Sequence, residues 1–369
     1  MPEQGVQQKF VANTVAEMPG WYSPALINAP RSVGGSRNPA GVRRHRFKRR
    51  DFLLFAACVA TASKSVLAAS DIPRVGFIGS GFRQASEPLL QAFRDGLVGV
   101  GWADGDNILV VDRWADERTE RLPSIARELV ASDVDLLVTA GTPATLAAQR
   151  ATAEVPIVLV AVGDPVGLGV VNSLARPGGN ATGVSLSSLA LIAARFHLLQ
   201  ELIPGMSRVA VIARNDPGLE QRMLDIRTIA RRMGLKVVEF VAPTGKSVEL
   251  AFRWLNSDRH DALYVASGPL GPAKRAEIIE LAAASRLPAI YSFRIFAIGG
   301  GLMSFGADEG ALFRRAAIFV DNILKGAMPA DLPVEEPSKM ELVINMRTAN
   351  ALGINMPPSL IARADEVIE

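Results

Sequence analysis

Leu136-Leu137-Val138-Thr139-Ala140-Gly141-Thr142-Pro143-Ala144 reads as a buried strand over 135 to 139, a tight turn, and the start of a helix. Thr142 stands where a helix N-cap is favoured, and Pro143 stands at the first helical position, where a missing N–H costs nothing. Such a junction aims free N–H groups and the positive end of a helix dipole beyond the carboxyl end of the strand. That suits a carboxylate or another anion. Val160-Ala161-Val162-Gly163-Asp164-Pro165-Val166-Gly167 repeats the device after the next strand, with an acidic cap. Asp164 is then placed to hold a ligand ammonium while the Thr142 helix holds a carboxylate. The competing reading of each is an ordinary helix cap.

Working outward, short β-branched runs alternate with helical periods from Arg74 onward, the pattern of parallel sheets built from βαβ units. Strands are predicted at 74–79, 107–112, 135–139, 156–161 and 181–185, and in a second series at 208–213, 236–241, 261–266, 288–291 and 301–305. Leu89, Leu90, Phe93 and Leu97 recur at helical spacing, as do Leu219, Met223, Ile226, Ile229 and Ala230. Two series predict two Rossmann-like α/β lobes. In open parallel sheets ligands lie beyond the carboxyl ends of the strands. The loops there are small and polar: Gly79-Ser80-Gly81, the Gly141 to Ala144 turn, Asp164, Asn215-Asp216 and Ser267-Gly268.

The chain has 369 residues, room for about two domains of roughly 150 residues each. With 49% hydrophobic and 21% charged residues it is core-rich rather than disordered. Its net charge of +3 is unevenly spread: residues 1–70 carry +7, which leaves −4 on the rest. A mildly acidic body does not attract a phosphate backbone, so no nucleic-acid partner is expected. The single cysteine, Cys58, lies in the basic leader.

Within that leader, Lys48-Arg49-Arg50-Asp51 directly precedes the apolar run Phe52 to Ala62, and Val66-Leu67-Ala68 follows with small residues at −3 and −1. This order of basic, apolar and cleavage regions is a secretory signal. Arg49-Arg50-Asp51-Phe52-Leu53 resembles the twin-arginine export motif, with Lys48 in place of the usual Ser/Thr and Leu54 in place of the usual Lys. A run of 11 apolar residues falls short of the ~20 that span a bilayer. A lipoprotein reading would use Cys58, but only Phe52 to Ala57 precede it. Residues 1–47 are rich in Pro, Gly, Ser and Asn; the expectation is translation beginning nearer Val42, and the alternative is a disordered tail.

Chemistry-bearing motifs are missing from this reading. In the body after the leader, His197 and His260 stand apart, with no Cys and no HExxH, so neither a metal nor another cofactor is expected. Thr244-Gly245-Lys246-Ser247 lacks the leading glycine of a phosphate loop, because Phe240 stands there. Gly79-x-Gly81 shows Gln84 where a dinucleotide fingerprint needs its third glycine. Without a nucleophile elbow either, no enzyme is expected.

Three stretches make the picture specific. They are Gly141-Thr142-Pro143-Ala144; Val162 to Gly167 running into Leu174-Ala175-Arg176-Pro177-Gly178-Gly179-Asn180-Ala181-Thr182-Gly183; and Ile344-Asn345 with Ala351 to Ile354, Pro357-Pro358-Ser359-Leu360 and Arg363 to Ile368. Together, over about residues 72–369, they resemble the ABC-transporter substrate-binding protein family, whose better-known members bind tryptophan and related amino acids. The resemblance implies a type I periplasmic-binding fold with a three-segment hinge. Expected lobes are 70–183 with 306–327, and 184–305 with 328–369, after an export signal at 48–69.

It implies a periplasmic receptor for a small polar ligand, working with an inner-membrane ABC permease and its ATPase. The alternative is a receptor that docks on a membrane sensor. By position, Ser80, Gly141, Thr142, Pro143, Ala144 and Asp164 fall in the cleft loops of the first lobe, and Asn215 and Ser267 in those of the second. The Ser267-Gly268-Pro269-Leu270 loop departs from the family, many of whose members place an acidic or amide side chain there.

Overall fold

A computed structural model describes residues 72–186, 189–242, 245–266 and 272–369, all within one compact unit, Leu67–Glu369. The export-signal reading, with Arg49, Arg50 and Cys58, lies outside the described residues, as do the extension before it and Ser267.

Five strands, β1 (Arg74–Gly79), β2 (Leu109–Trp114), β3 (Leu136–Ala140), β4 (Ile157–Val162) and β5 (Ala181–Ser185), make an all-parallel sheet in the order β2-β1-β3-β4-β5. Helices α1 (Arg83–Gly99), α2 (Leu122–Ala131) and α3 (Thr142–Ala151) connect them. The sheet is buried on both faces, and strand periodicity decides which residue goes where. Val75 and Phe77 pack with Leu90, Phe93 and Leu97 of α1. Ile78, on the opposite face, packs with Leu122, Ile125 and Leu129 of α2.

The second sheet has seven strands: β6 (Arg208–Arg214), β7 (Lys236–Ala242), β8 (Ala262–Val265), β9 (Ala289–Tyr291), β10 (Met303–Ala307), β11 (Met340–Asn345) and β12 (Glu366–Ile368). Their order is β12-β11-β10-β9-β8-β6-β7. β6 to β10 are parallel, and β11 joins β10 antiparallel with β12 parallel to it. On one face α4 (Leu189–Leu202) and α5 (Leu219–Arg232) set Phe196, Leu199, Met223 and Ile226 against Val209, Val211 and Tyr264. On the other, α6 (Gly245–Ser257) and α7 (Pro272–Ala284) set Val248, Phe252 and Ile278 against Ala210, Ile212 and Leu263. Four further α-helices follow among the described residues: α8 (Arg294–Ile298), α9 (Glu309–Leu324), α10 (Met346–Leu352) and α11 (Pro358–Arg363).

All ten strands read from the sequence are present, with β2 and β10 lying two residues later than predicted. β11 and β12 were not among them. Each is a single short strand arriving after a helix, outside the βαβ rhythm on which the reading relied.

The chain passes between the sheets three times, as the resemblance implied. It leaves β5 at Ser185 for α4, leaves β10 at Ala307 for α9, and returns at Met340 to β11. α9 packs along α1 in the core of the first sheet, and Gly96 permits this: a Cβ there would stand 2.5 Å from the Arg314 carbonyl. Before the third passage the chain runs beside β5. The Thr182 hydroxyl donates to the Leu332 carbonyl (2.7 Å), Val334 N–H to the Leu174 carbonyl (2.7 Å), and Glu335 N–H to the Gly183 carbonyl (2.9 Å). Asn180 meanwhile donates to the Val155 carbonyl (2.9 Å). The Leu174 to Gly183 stretch that carried the resemblance is thus a scaffold that ties the third passage to the first sheet.

Candidate functional site

Beyond the carboxyl ends of the strands of both sheets lies a cleft of about 620 Å³. Six aromatic side chains line it: Phe82, Trp114 and Phe313 from the first sheet's layer, and Tyr264, Phe293 and Phe296 from the second's. A concave, mostly apolar wall carrying a few polar groups is the usual form of a small-molecule site.

Of the residues expected there, Ser80, Gly141, Thr142, Pro143 and Asp164 line the cleft. Their local roles differ from the sequence reading. Gly141 is the cap residue of α3, at φ +90°, a conformation that favours glycine, and Thr142 is the first helical residue. Ser80 supplies the cap bond from the neighbouring strand: its hydroxyl accepts from Ala144 N–H (3.2 Å) and donates to the Ala140 carbonyl (3.0 Å). Ala144 is fully buried and its N–H is occupied, so it is not a cleft residue. Because Pro143 has no N–H, the first turn retains only the Thr142 N–H among the described residues. The backbone donors of the anion site expected there have therefore shrunk to one, beside the Thr142 hydroxyl, which accepts from Gly163 N–H at 3.4 Å and has its own proton to give.

After β4 the chain bulges between Val160 and Val162, with Ala161 at φ +61°. The expected helix after Asp164 does not form; residues 165–169 are turns. Asp164 caps them by accepting from Gly167 N–H at 2.8 Å. A Cβ on Gly167 would lie 2.1 Å from the Asp164 carboxylate and 3.0 Å from Gln221 of α5, so this rim is where the two layers meet. Asp225, one turn along α5 and hydrogen-bonded to Gln221 (3.0 Å), has its carboxyl held above the ordinary range, first by burial and then by the charge of Asp164. Both carboxylates line the cleft.

The β6 loop also departs from expectation. Asn215 is exposed and does not line the cleft. Its neighbour Asp216 does, accepting from Gly218 N–H (2.9 Å) and pairing with Arg222 (3.0 Å). Arg214 reaches the other layer, donating to the Glu117 carbonyl at 2.7 Å with the Glu117 carboxylate 3.4 Å away.

The family model for ABC transporter substrate binding proteins matches residues 84–368. The chain belongs to that family. It is 30% identical over 253 residues to the tyrosine-binding protein of Clostridioides difficile strain R20291, covering 68% of this chain and 72% of the relative. Among solved structures, a Streptococcus pneumoniae ABC domain in complex with L-Trp is 26% identical, with TM-score 0.75, covering 80% of this chain and 99% of that one. A conserved domain protein from Vibrio cholerae is 28% identical, with the same TM-score and coverage.

As a substrate-binding protein of this family, the chain has two cleft groups that sequence reasoning missed. Arg195 of α4 is 5% exposed, lines the cleft, and has no carboxylate within 4.0 Å among the described residues. Its signal was a lone charge on the helix face that also carries Leu191, Ile192, Phe196 and Leu199. Glu309, at the start of α9, has its carboxyl raised to about 7, first by burial and also by the charge of Asp308, with Arg275 opposing. It left no sequence signal, because only the second passage between sheets brings it to the cleft.

Proposed function

We propose that this protein is an exported, non-catalytic receptor that captures an aromatic amino acid in the cleft between its sheets and delivers it to an ABC permease with its ATPase. The observation that carries this reading is the aromatic lining, contributed by both layers. Phe82 and Phe293 are the partly exposed rings of this cleft of about 620 Å³, with Trp114, Tyr264, Phe296 and Phe313 buried in its wall, and stacking of a planar side chain against such rings adds to plain area burial. Relatives whose names state tyrosine or L-Trp as ligand support the same class.

The amino group belongs at Asp164. An ammonium there is drawn to Asp164 and also to Asp225, the other carboxylate on the cleft lining. The Thr142 N–H lies on the same side. The functional lobes are 72–185 with 308–335, and 189–307 with 340–369, which moves the segment 328–335, expected in the second lobe, to the first because it bonds to Thr182, Leu174 and Gly183; they close on the ligand by a hinge at the three passages. Export proceeds by the twin-arginine route at Arg49-Arg50, with the mature chain beginning near Ala69.

A thermal-shift screen of the twenty amino acids and their parent amines tests the reading, because a ligand that binds only the native state raises its melting temperature. L-Tyrosine or L-tryptophan should give the largest rise. A panel in which only aliphatic or acidic compounds raise it would replace the aromatic class.

A further inference from the structure

We propose that Arg195 is the receptor for the ligand's carboxylate, which makes a free acid group, rather than the amine alone, a requirement for capture. The inference rests on the aromatic reading of the cleft and adds its anionic subsite.

Arg195 has five N–H donors. Nε donates to the Phe305 carbonyl at 2.7 Å and Nη1 to the Tyr264 hydroxyl at 2.9 Å. The guanidinium also lies over the Tyr264 ring, 5.6 Å from its centroid. These contacts fix the plane of the fork against β10 and β8. They leave Nη2 and the second Nη1 proton without a partner among the described residues, on a side chain that is 5% exposed and lines the cleft.

A buried cation without a counter-charge is expensive, and a structural pin between α4 and β10 could be made by a neutral donor. A pre-oriented fork with its end free is what bidentate capture of a carboxylate needs. The Tyr264 hydroxyl, which accepts from Nη1, keeps its own proton to give to the same carboxylate. The free end lies beside a close backbone approach of Gly306 to Ser292. Nη2 lies 3.7 Å from where a Cβ on Gly306 would stand, and that Cβ would be 2.0 Å from the Ser292 carbonyl, so only glycine fits. By contrast the α3 N-terminus, the anion site expected from sequence, offers one N–H and the Thr142 hydroxyl, both uncharged.

The position adds a consequence. Arg195 lies just after the first passage between sheets, and Phe305 lies just before the second. A carboxylate on this fork is therefore held beside the hinge.

The test is calorimetry on the full mature protein with four probes: L-tryptophan, indole-3-propionate, L-tryptophan amide and tryptamine. The wild type should prefer L-tryptophan over tryptamine and the amide by about 30-fold or more, the loss expected when one member of a desolvated charge pair is removed. Indole-3-propionate should retain measurable binding. In Arg195→Met that preference should disappear, and in Arg195→Lys it should be partly kept, with unliganded melting curves checking that each variant is folded. The comparison among wild-type probes stands even if both variants misfold. Equal affinity of tryptamine and L-tryptophan for the wild type, or an undiminished preference in folded Arg195→Met, overturns the role of Arg195 while leaving the aromatic cleft in place. If all four indoles fail to bind the wild type, L-tyrosine, its amide and tyramine take their place, and failure of these too removes the aromatic reading and this inference together.

Discussion

The indole of Trp114 lies against the backbone of Gly79, its paired neighbour across β1 and β2, so closely that a Cβ on Gly79 would stand 2.0 Å from the ring. Trp114 Nε1 donates to Asp112 (2.7 Å), which also accepts from Arg83 Nε (2.9 Å), so the ring is held from both sides on the cleft wall. Gly79→Ala should push the indole into the cleft. The expected cost is roughly 1–3 kcal/mol of stability, as for overpacking elsewhere. Affinity for an aromatic probe should fall with it. Denaturant unfolding and titration of the same variant check both, and unchanged affinity would remove Trp114 from the ligand wall.

Asp164→Asn separates a cap from a charge. Asn caps about as well as Asp, so the bond from Gly167 N–H should survive and the melting temperature should hold. Affinity for an amino acid should drop by about 30-fold or more, the equivalent of roughly 2 to 5 kcal/mol for a lost partner in a desolvated pair. A probe with a carboxylate and no amine should bind the variant as well as the wild type or better. Equal affinity of an amino acid for both proteins would make Asp164 a turn cap only.

Glu309 gives the fold a pH signature. Its carboxyl is raised from 4.5 to about 7 by burial, so between those values the folded state keeps a proton that the unfolded state has released. The penalty is absent below about 4.5, grows as pH rises, and is complete above about 7. Glu309→Gln should therefore raise the melting temperature at pH 8 and leave it nearly unchanged at pH 4.5. A uniform shift across that range would show that the side chain acts through packing instead.

Export is tested by Arg49→Lys with Arg50→Lys. Uncleaved precursor should accumulate inside the cell, and N-terminal sequencing of the wild type should place the mature start near Ala69. A normal amount of mature protein outside the cytoplasm from the double variant would rule out the twin-arginine route, and a mature start at Cys58 would indicate a lipoprotein.

The fold was legible because period-two burial writes itself into residues such as Val75 and Phe77, which face one helix layer, and Ile78, which faces the other. The strand-end loops were also found, since they follow directly from the strands. What escaped was whatever depends on contacts distant in sequence. Ser80 caps α3 from 64 residues away, so a local reading assigned the cap to Thr142. Asn215 and Asp216 are adjacent polar residues, and only the pairing of Asp216 with Arg222 decides which one faces the cleft. Arg195 sat in view as a charge on an apolar helix face, but its meaning depends on Phe305 and Tyr264, which arrive much later in the chain.

The central claim, that an aromatic amino acid is captured between the two layers, is tested most directly by titrating L-tyrosine and L-tryptophan into the purified mature wild type by calorimetry. A single saturable site per chain is expected for at least one of them, with affinity in the micromolar range or tighter and a negative heat-capacity change from burial of the ring. Absence of binding heat for both across several temperatures at millimolar concentration, with a non-aromatic solute saturating the same protein, would contradict it.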